Sequence, residues 1–177
     1  MKQFLFFLLL GVLFTSGSFA KTNASVKEVI ESSFQNVSAI ETKSLILSSE
    51  QFKKVRSYAK TSINTKVYRY YNIKSNAKDL GKAVLITRKV RSKKATVLYA
   101  FDNTGTLRFS EIMAFGEPPE YIPSSIWMEQ LKKQKKTAKL TLGKDIPTIS
   151  GSTLSARSIT EGARVARAIF ETVLKLK

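Results

Sequence analysis

Polar and apolar positions change period several times along this chain, and each change marks an element. In "ASVKEVIESSFQNV" the apolar residues Val26, Val29, Ile30 and Phe34 recur at the three- and four-residue spacing of one helix face. "KSLILS" (residues 43–48) is a short strand candidate. Ser48 and Gln51 stand at capping-box spacing, and Phe52, Val55 and Ala59 then share one face of a second helix. Four strand-like runs follow: "TKVYRYYNI", "KAVLITRKV", "KATVLYAF" and "TLRFSEIMAF". Turn signals at Asp79-Leu80-Gly81 and at Asp102-Asn103-Thr104-Gly105 separate them, so the spacing predicts an antiparallel meander rather than β-α-β crossovers.

"FGEPPEYIP" interrupts the pattern, because its three prolines fit neither strand ladders nor helix interiors. Ser124 or Ser125 then caps a helix carrying Ile126, Met128 and Leu131, with a lysine-rich end that suits its negative pole. A last helix runs from about Ser155 to Leu176, with Ile159, Ala163, Ala166, Ile169, Phe170 and Val173 on one face. The expected fold is α+β: a twisted antiparallel sheet with helices packed against it, closed by a C-terminal helix.

The first twenty residues break the amphipathic pattern. "MKQFLFFLLLGVLFTSGSFA" joins one lysine to an apolar run and ends in small-x-small form, the signature of a signal peptide cleaved after Ala20. Residues 1–20 are thus expected to be a leader and residues 21–177 a single domain, placed outside the cytoplasm in the periplasm or at the cell surface. The alternative is an N-terminal membrane anchor, since the uncharged run from Phe4 reaches the lower limit of a span.

Composition narrows the chemistry. The 177 residues include no cysteine and no histidine. That excludes disulfides, thiolate nucleophiles, haem attachment through cysteine, imidazole metal ligands and every triad built on histidine. No catalytic residue and no metal site is nominated; an enzyme of this composition would rely on carboxylates, lysines or a cofactor. The formal charge is +17. Between Phe52 and Tyr99 fourteen Lys or Arg face one acid, Asp79, with Tyr58, Tyr68, Tyr70 and Tyr71 interleaved. Such a stretch resembles a nucleic-acid surface, but export points away from nucleic acid and toward an acidic protein partner or an anionic membrane surface. The alternative is a solvated face that keeps the protein soluble.

One stretch holds the densest candidate chemistry. In "DIPTISGSTLSARSIT" the hydroxyls Thr148, Ser150, Ser152, Thr153 and Ser155 surround Gly151 just before the last helix. Read as local structure, this is a turn and a helix N-cap. Read as a site, it is a helix N-terminus, where free N–H groups and partial positive charge receive a phosphate.

The order "EPPEY", then Asp145, then "SGSTLS" before a terminal helix resembles the FMN-binding domain of the G and C subunits of the Rnf and sodium-pumping NADH:quinone oxidoreductase complexes, a domain also found in stand-alone exported flavoproteins. The resemblance covers about residues 43–177 and takes in the "YAFDNTGTLRFSEIMAF" hairpin and the lysine-rich helix. It implies that Thr153, the last residue of a (Ser/Thr)-Gly-Ala-(Thr/Ser) motif, carries FMN through a phosphoester installed by a separate flavin transferase using FAD. Ser150, Gly151, Ser152, Leu154 and Ser155 would surround the attachment point, Asp145 would be the upstream acid of the transferase motif, and Glu117-Pro118 would match the family's Glu-Pro. Two positions depart from the pattern. Ser152 stands where alanine is usual, and Gly116 where arginine is frequent.

The function so implied is that of an electron carrier, and a substrate of the transferase rather than a catalyst. It would relay electrons to a redox partner protein or membrane electron-transfer complex. Two other classes stay open: an exported FMN-dependent reductase of a small molecule, and a cofactor-free protein that binds anionic surfaces.

Overall fold

The computed structural model describes residues 25–76 and 78–175; the leader expected over residues 1–20, its cleavage point after Ala20, and Leu176 lie outside the described residues. Helix α1 (Val26–Ser33) opens with a complete capping box between Ser25 and Glu28. Strand β1 (Ala39–Ile46) leads into α2 (Ser49–Ala59), whose start is fixed by the reciprocal bonds of Ser48 and Gln51. Strands β2 (Val67–Ser75), β3 (Lys78–Lys89), β4 (Lys94–Asp102) and β5 (Leu107–Phe115) complete a five-stranded sheet. Its order is β1-β2-β3-β4-β5 with every pair antiparallel, which is the α+β meander expected. After a short 3-10 turn (Pro119–Tyr121) come α3 (Ser125–Lys132) and α4 (Thr153–Ile169), which continues as a π-helical turn over Phe170–Leu174.

The central strands are apolar on both faces because both faces are covered. From β4, Val97, Tyr99 and Phe101 join Ile159, Ala163, Ala166 and Phe170 of α4 and its extension, together with Val55 and Ala59 of α2, in the larger core. Leu98 and Ala100 point to the other face, where Ile30 of α1 closes a smaller cluster with Tyr71, Ile73 and Phe109. Full burial of each large apolar side chain among these contributes roughly 1.5–3 kcal/mol, and α4, with twelve buried residues of which most are small, lies close on the sheet as its principal lid. Two contacts set its position. The Phe101 and Phe170 rings lie 5.1 Å apart, and the buried Tyr99 hydroxyl donates to the Ile159 carbonyl at 2.7 Å. A Cβ on Gly162 would stand 2.6 Å from that hydroxyl, so α4 is seated on Tyr99 at the helix's one glycine.

Several sequence expectations are corrected in detail. Asp79, Leu80 and Gly81 are not a turn but part of β3, and the chain reverses at Asn76 instead, with φ +45°. Gly81 is needed for close approach rather than for turning: a Cβ there would lie 2.1 Å from the Phe101 carbonyl oxygen across the β3–β4 ladder. β1 starts four residues earlier than the apolar run suggests, and Ser48 belongs to the α2 cap. Ile126 is 77% exposed, and Trp127 takes the buried place assigned to it. Tyr68 and Tyr71 lie in the cores, so they are not free to stack on a ligand.

Candidate functional site

The hydroxyl-rich loop ends where α4 begins, and Thr153 is the first helical residue. Ser152 occupies the N-cap position with φ −125° and ψ 29°, yet its side chain makes no capping bond. Its hydroxyl instead donates to the Glu120 carbonyl at 3.4 Å, tying the loop to the 3-10 turn. The capping interpretation of these hydroxyls therefore fails at the cap itself. The first main-chain bond of the helix runs from Ala156 N–H to the Ser152 carbonyl. The N–H groups of Thr153, Leu154 and Ser155 thus precede the helical ladder and find no acceptor among the described residues.

Gly151 turns the chain into the helix at φ +75°, a left-handed conformation that favours glycine. A Cβ on it would meet nothing within 4 Å, so the loop backbone is open on that side. Thr153 and Leu154 are exposed, whereas Ser152 and Ser155 are buried. The Thr153 hydroxyl makes one bond, to the Ile149 carbonyl at 3.1 Å.

A cavity of about 200 Å³ lies against this helix start, lined by residues 151–155 and, from elsewhere in the chain, by Val90, Arg91, Glu117 and Tyr121. The contribution of Glu117 is architectural. Its carboxylate accepts from the main-chain N–H groups of Arg91, Ser92 and Lys93 at 3.0, 2.7 and 2.6 Å, in the turn between β3 and β4. These bonds, the one from Lys93 foremost, hold the Glu117 carboxyl below the usual carboxylate range, against a smaller opposing effect of burial. Glu117 thereby fixes the loop that delivers Arg91 to the cavity. Pro118 lines an adjoining hollow that shares Arg91, Glu117 and Tyr121.

No protein-family model matches this chain, and no curated protein matches it. The site therefore rests on its own geometry.

That geometry brings together Gly151, Ser152, Thr153, Leu154, Ser155 and Glu117 among the residues nominated from sequence, with Pro118 at the edge. Ser150 is exposed outside the cavity lining. Asp145 is also outside it: its carboxylate accepts from Thr141 N–H at 2.8 Å and closes the tight turn before Ile146. Sequence reasoning missed Arg91 and Tyr121. Tyr121 lay in the noted "EPPEY" segment, but nothing distinguished its ring. Arg91 was one of fourteen cations in a basic stretch, and only the cross-chain bonds of Glu117 single it out.

The donors present fit a phosphate ester at the start of α4. Three N–H groups without acceptors among the described residues, an arginine in the cavity lining and an exposed hydroxyl on the first helical residue form an anion-receiving set around open space. An isoalloxazine is larger than the 200 Å³ cavity accommodates beside its phosphate, so a flavin ring attached here would extend over Tyr121 into the adjoining hollow or into solvent.

Proposed function

We propose that the protein is an FMN-binding carrier of the covalent-flavin type, with the flavin phosphate esterified to Thr153 and electrons passed to an extracytoplasmic or membrane-associated partner. The observation that carries this reading is the exposed Thr153 hydroxyl at an uncapped helix start facing a cavity with an arginine in its lining. The starts of α1, α2 and α3 each receive a capping side-chain bond, whereas α4 has none, which leaves its first N–H groups available to an anion.

FMN, when attached, supplies reversible one- and two-electron redox chemistry. The chain's own residues supply the rest. Thr153 offers the oxygen that is esterified, and esterification removes the proton it donates to the Ile149 carbonyl. The uncapped N–H groups and Arg91 balance the phosphate charge. Gly151 leaves open space beside the phosphate, and Tyr121 lines both hollows over which the flavin ring would extend. No histidine is present to activate the threonine, so the attachment chemistry belongs to a separate flavin transferase, which would break the pyrophosphate bond of FAD, join its FMN half to the threonine oxygen and release AMP with the hydroxyl proton.

The test is mass spectrometry of protein co-expressed with such a transferase. The peptide containing Thr153 should gain one FMN unit, and Thr153→Val should abolish that gain while leaving the fold intact, because the side chain is exposed. Flavin that survives denaturation in Thr153→Val would overturn the assignment.

A further inference from the structure

A second cavity, of about 290 Å³, lies between the end of α2, the segment after α3 and the middle of α4, and shares no lining residue with the cavity at Thr153. Its lining holds five cationic residues, Lys60, Lys136, Lys139, Arg164 and Arg167, with Tyr58 beside them and no carboxylate. Such a density of one charge in one hollow is costly unless an anion offsets it.

Main-chain carbonyls occupy only part of this charge. Arg164 covers the carbonyls that end α2, with Nε donating to Ala59 at 2.7 Å and Nη2 to Lys60. It thus removes the negative pole that would otherwise repel an anion there. Arg167 is 6% exposed and donates Nη1 to the Ala138 carbonyl at 2.7 Å, but its buried Nε has no partner. Burial pushes its guanidinium below its ordinary pKa, against smaller opposing effects of Tyr58 and Glu171. Lys136 alone in the set pairs with an acid among the described residues, Glu171 at 3.4 Å. Lys60, Lys139, Arg164 and Arg167 have no carboxylate within 4.0 Å among those residues.

We propose that this cavity binds a phosphoryl anion carrying two or more negative charges, gripped by the free N–H groups of Arg164 and by the ammonium groups of Lys60 and Lys139, with the buried Arg167 guanidinium adding its charge at the wall. Guanidinium forks match tetrahedral phosphoryl oxygens, and the flexible lysines close over the remaining charge. The volume admits pyrophosphate or a small phosphate ester but not a whole dinucleotide. This site is independent of the flavin reading, and it stands or falls separately.

The probe is pyrophosphate, titrated calorimetrically into the full chain at fixed ionic strength. Wild type should show saturable binding at one site. Lys139→Glu should weaken it by about tenfold or more, the loss expected for one charge-assisted contact replaced by repulsion. Lys27→Glu, the same charge change on α1 against the other face of the sheet, should leave it unchanged. Lys139 is exposed and makes no side-chain bond among the described residues, so equal melting temperatures should accompany the difference, and Lys139→Gln should give an intermediate loss. Vesicles of phosphatidic acid, a phosphomonoester lipid, in phosphatidylcholine identify the source of the phosphoryl group. Competition with pyrophosphate that depends on Lys139 assigns it to a lipid headgroup, and lack of competition assigns it to a free ion. Uptake that does not saturate, or that falls equally in Lys27→Glu and Lys139→Glu, would mean only general attraction to a basic chain and would overturn the proposal.

Discussion

The seat of α4 on Tyr99 can be tested by a two-residue cycle. In Gly162→Ala the new methyl stands 2.6 Å from the Tyr99 hydroxyl, which is fully buried and held to Ile159 at 2.7 Å, so neither group can retreat. Overpacking of this kind costs about 2 kcal/mol, while replacing glycine inside a helix returns about 1 kcal/mol. The net expected loss is about 1 kcal/mol. Tyr99→Phe removes one buried hydrogen bond but strands no donor, and Ile159 stays inside the α4 ladder, so it also costs about 1 kcal/mol. In the double variant the methyl meets only the ring carbons Cζ and Cε2, at 3.3 and 3.4 Å, and the helix gain is released. Its stability should return close to wild type, with a coupling of about 2 kcal/mol between the two sites. Urea denaturation with unchanged m-values measures all four proteins. Losses that simply add, to within about 0.5 kcal/mol, would refute the claim that this hydroxyl and this glycine set the height of the helix.

Other outcomes follow from charge and burial. Because the Glu117 carboxyl is held below its ordinary range, its stabilising effect is present above the unfolded-state value near pH 4 and is lost as pH falls through the lowered folded value; Glu117→Gln should flatten the acid limb of melting temperature against pH and reduce occupancy of the Arg91 cavity. Burial pushes the Tyr68 phenol up to about 12 and the Tyr99 phenol higher still, so their contribution is intact below the unfolded value near pH 10 and is lost as pH rises through the folded one. In a spectrophotometric titration these two of the six tyrosines should ionise last, together with alkaline unfolding; early titration of all six would contradict the packing. If the basic stretch steers an acidic redox partner, flavin reduction by that partner should slow with salt as the Debye length falls to about 10 Å at 0.1 M. Lys53→Glu with Lys78→Glu should make that slope shallower, both residues being exposed, whereas Arg88 is unsuitable because it is bound to Glu161 and the Ser62 carbonyl.

The architecture was legible where one local rule acted alone. Capping residues at Ser48 and Gln51, and the four apolar runs of the meander, needed no knowledge of the rest of the chain. Reading failed where a residue answered to a distant neighbour. Gly81 signals a turn by its type, but the passing carbonyl of Phe101 requires it to be small. Ile126 and Trp127 are equally apolar, and only the Pro147 carbonyl, which accepts from the indole N–H at 2.8 Å, decides which one faces inward. The site divides in the same way. The loop around Gly151 stands out by composition, whereas Arg91 enters the cavity through a turn held by Glu117, twenty-six positions away from it. The role suggested for Asp145 meets a simpler local one, closing its own turn on Thr141.

The placement of α4 also orders events during synthesis. Every strand among the described residues precedes it along the chain, so the larger apolar face of the sheet, covered in part by α2 and α3, lacks its principal cover until the residues up to Leu174 have been made. The meander joins only neighbours in sequence and can pair early; its second layer cannot. Until α4 docks, Val84, Ile86, Val97 and Phe101 lack the helix that covers them in the finished domain. Thr153, the first residue of α4, reaches the cavity lined by Arg91 only when that helix docks, so an enzyme that reads the assembled pocket acts on the finished domain.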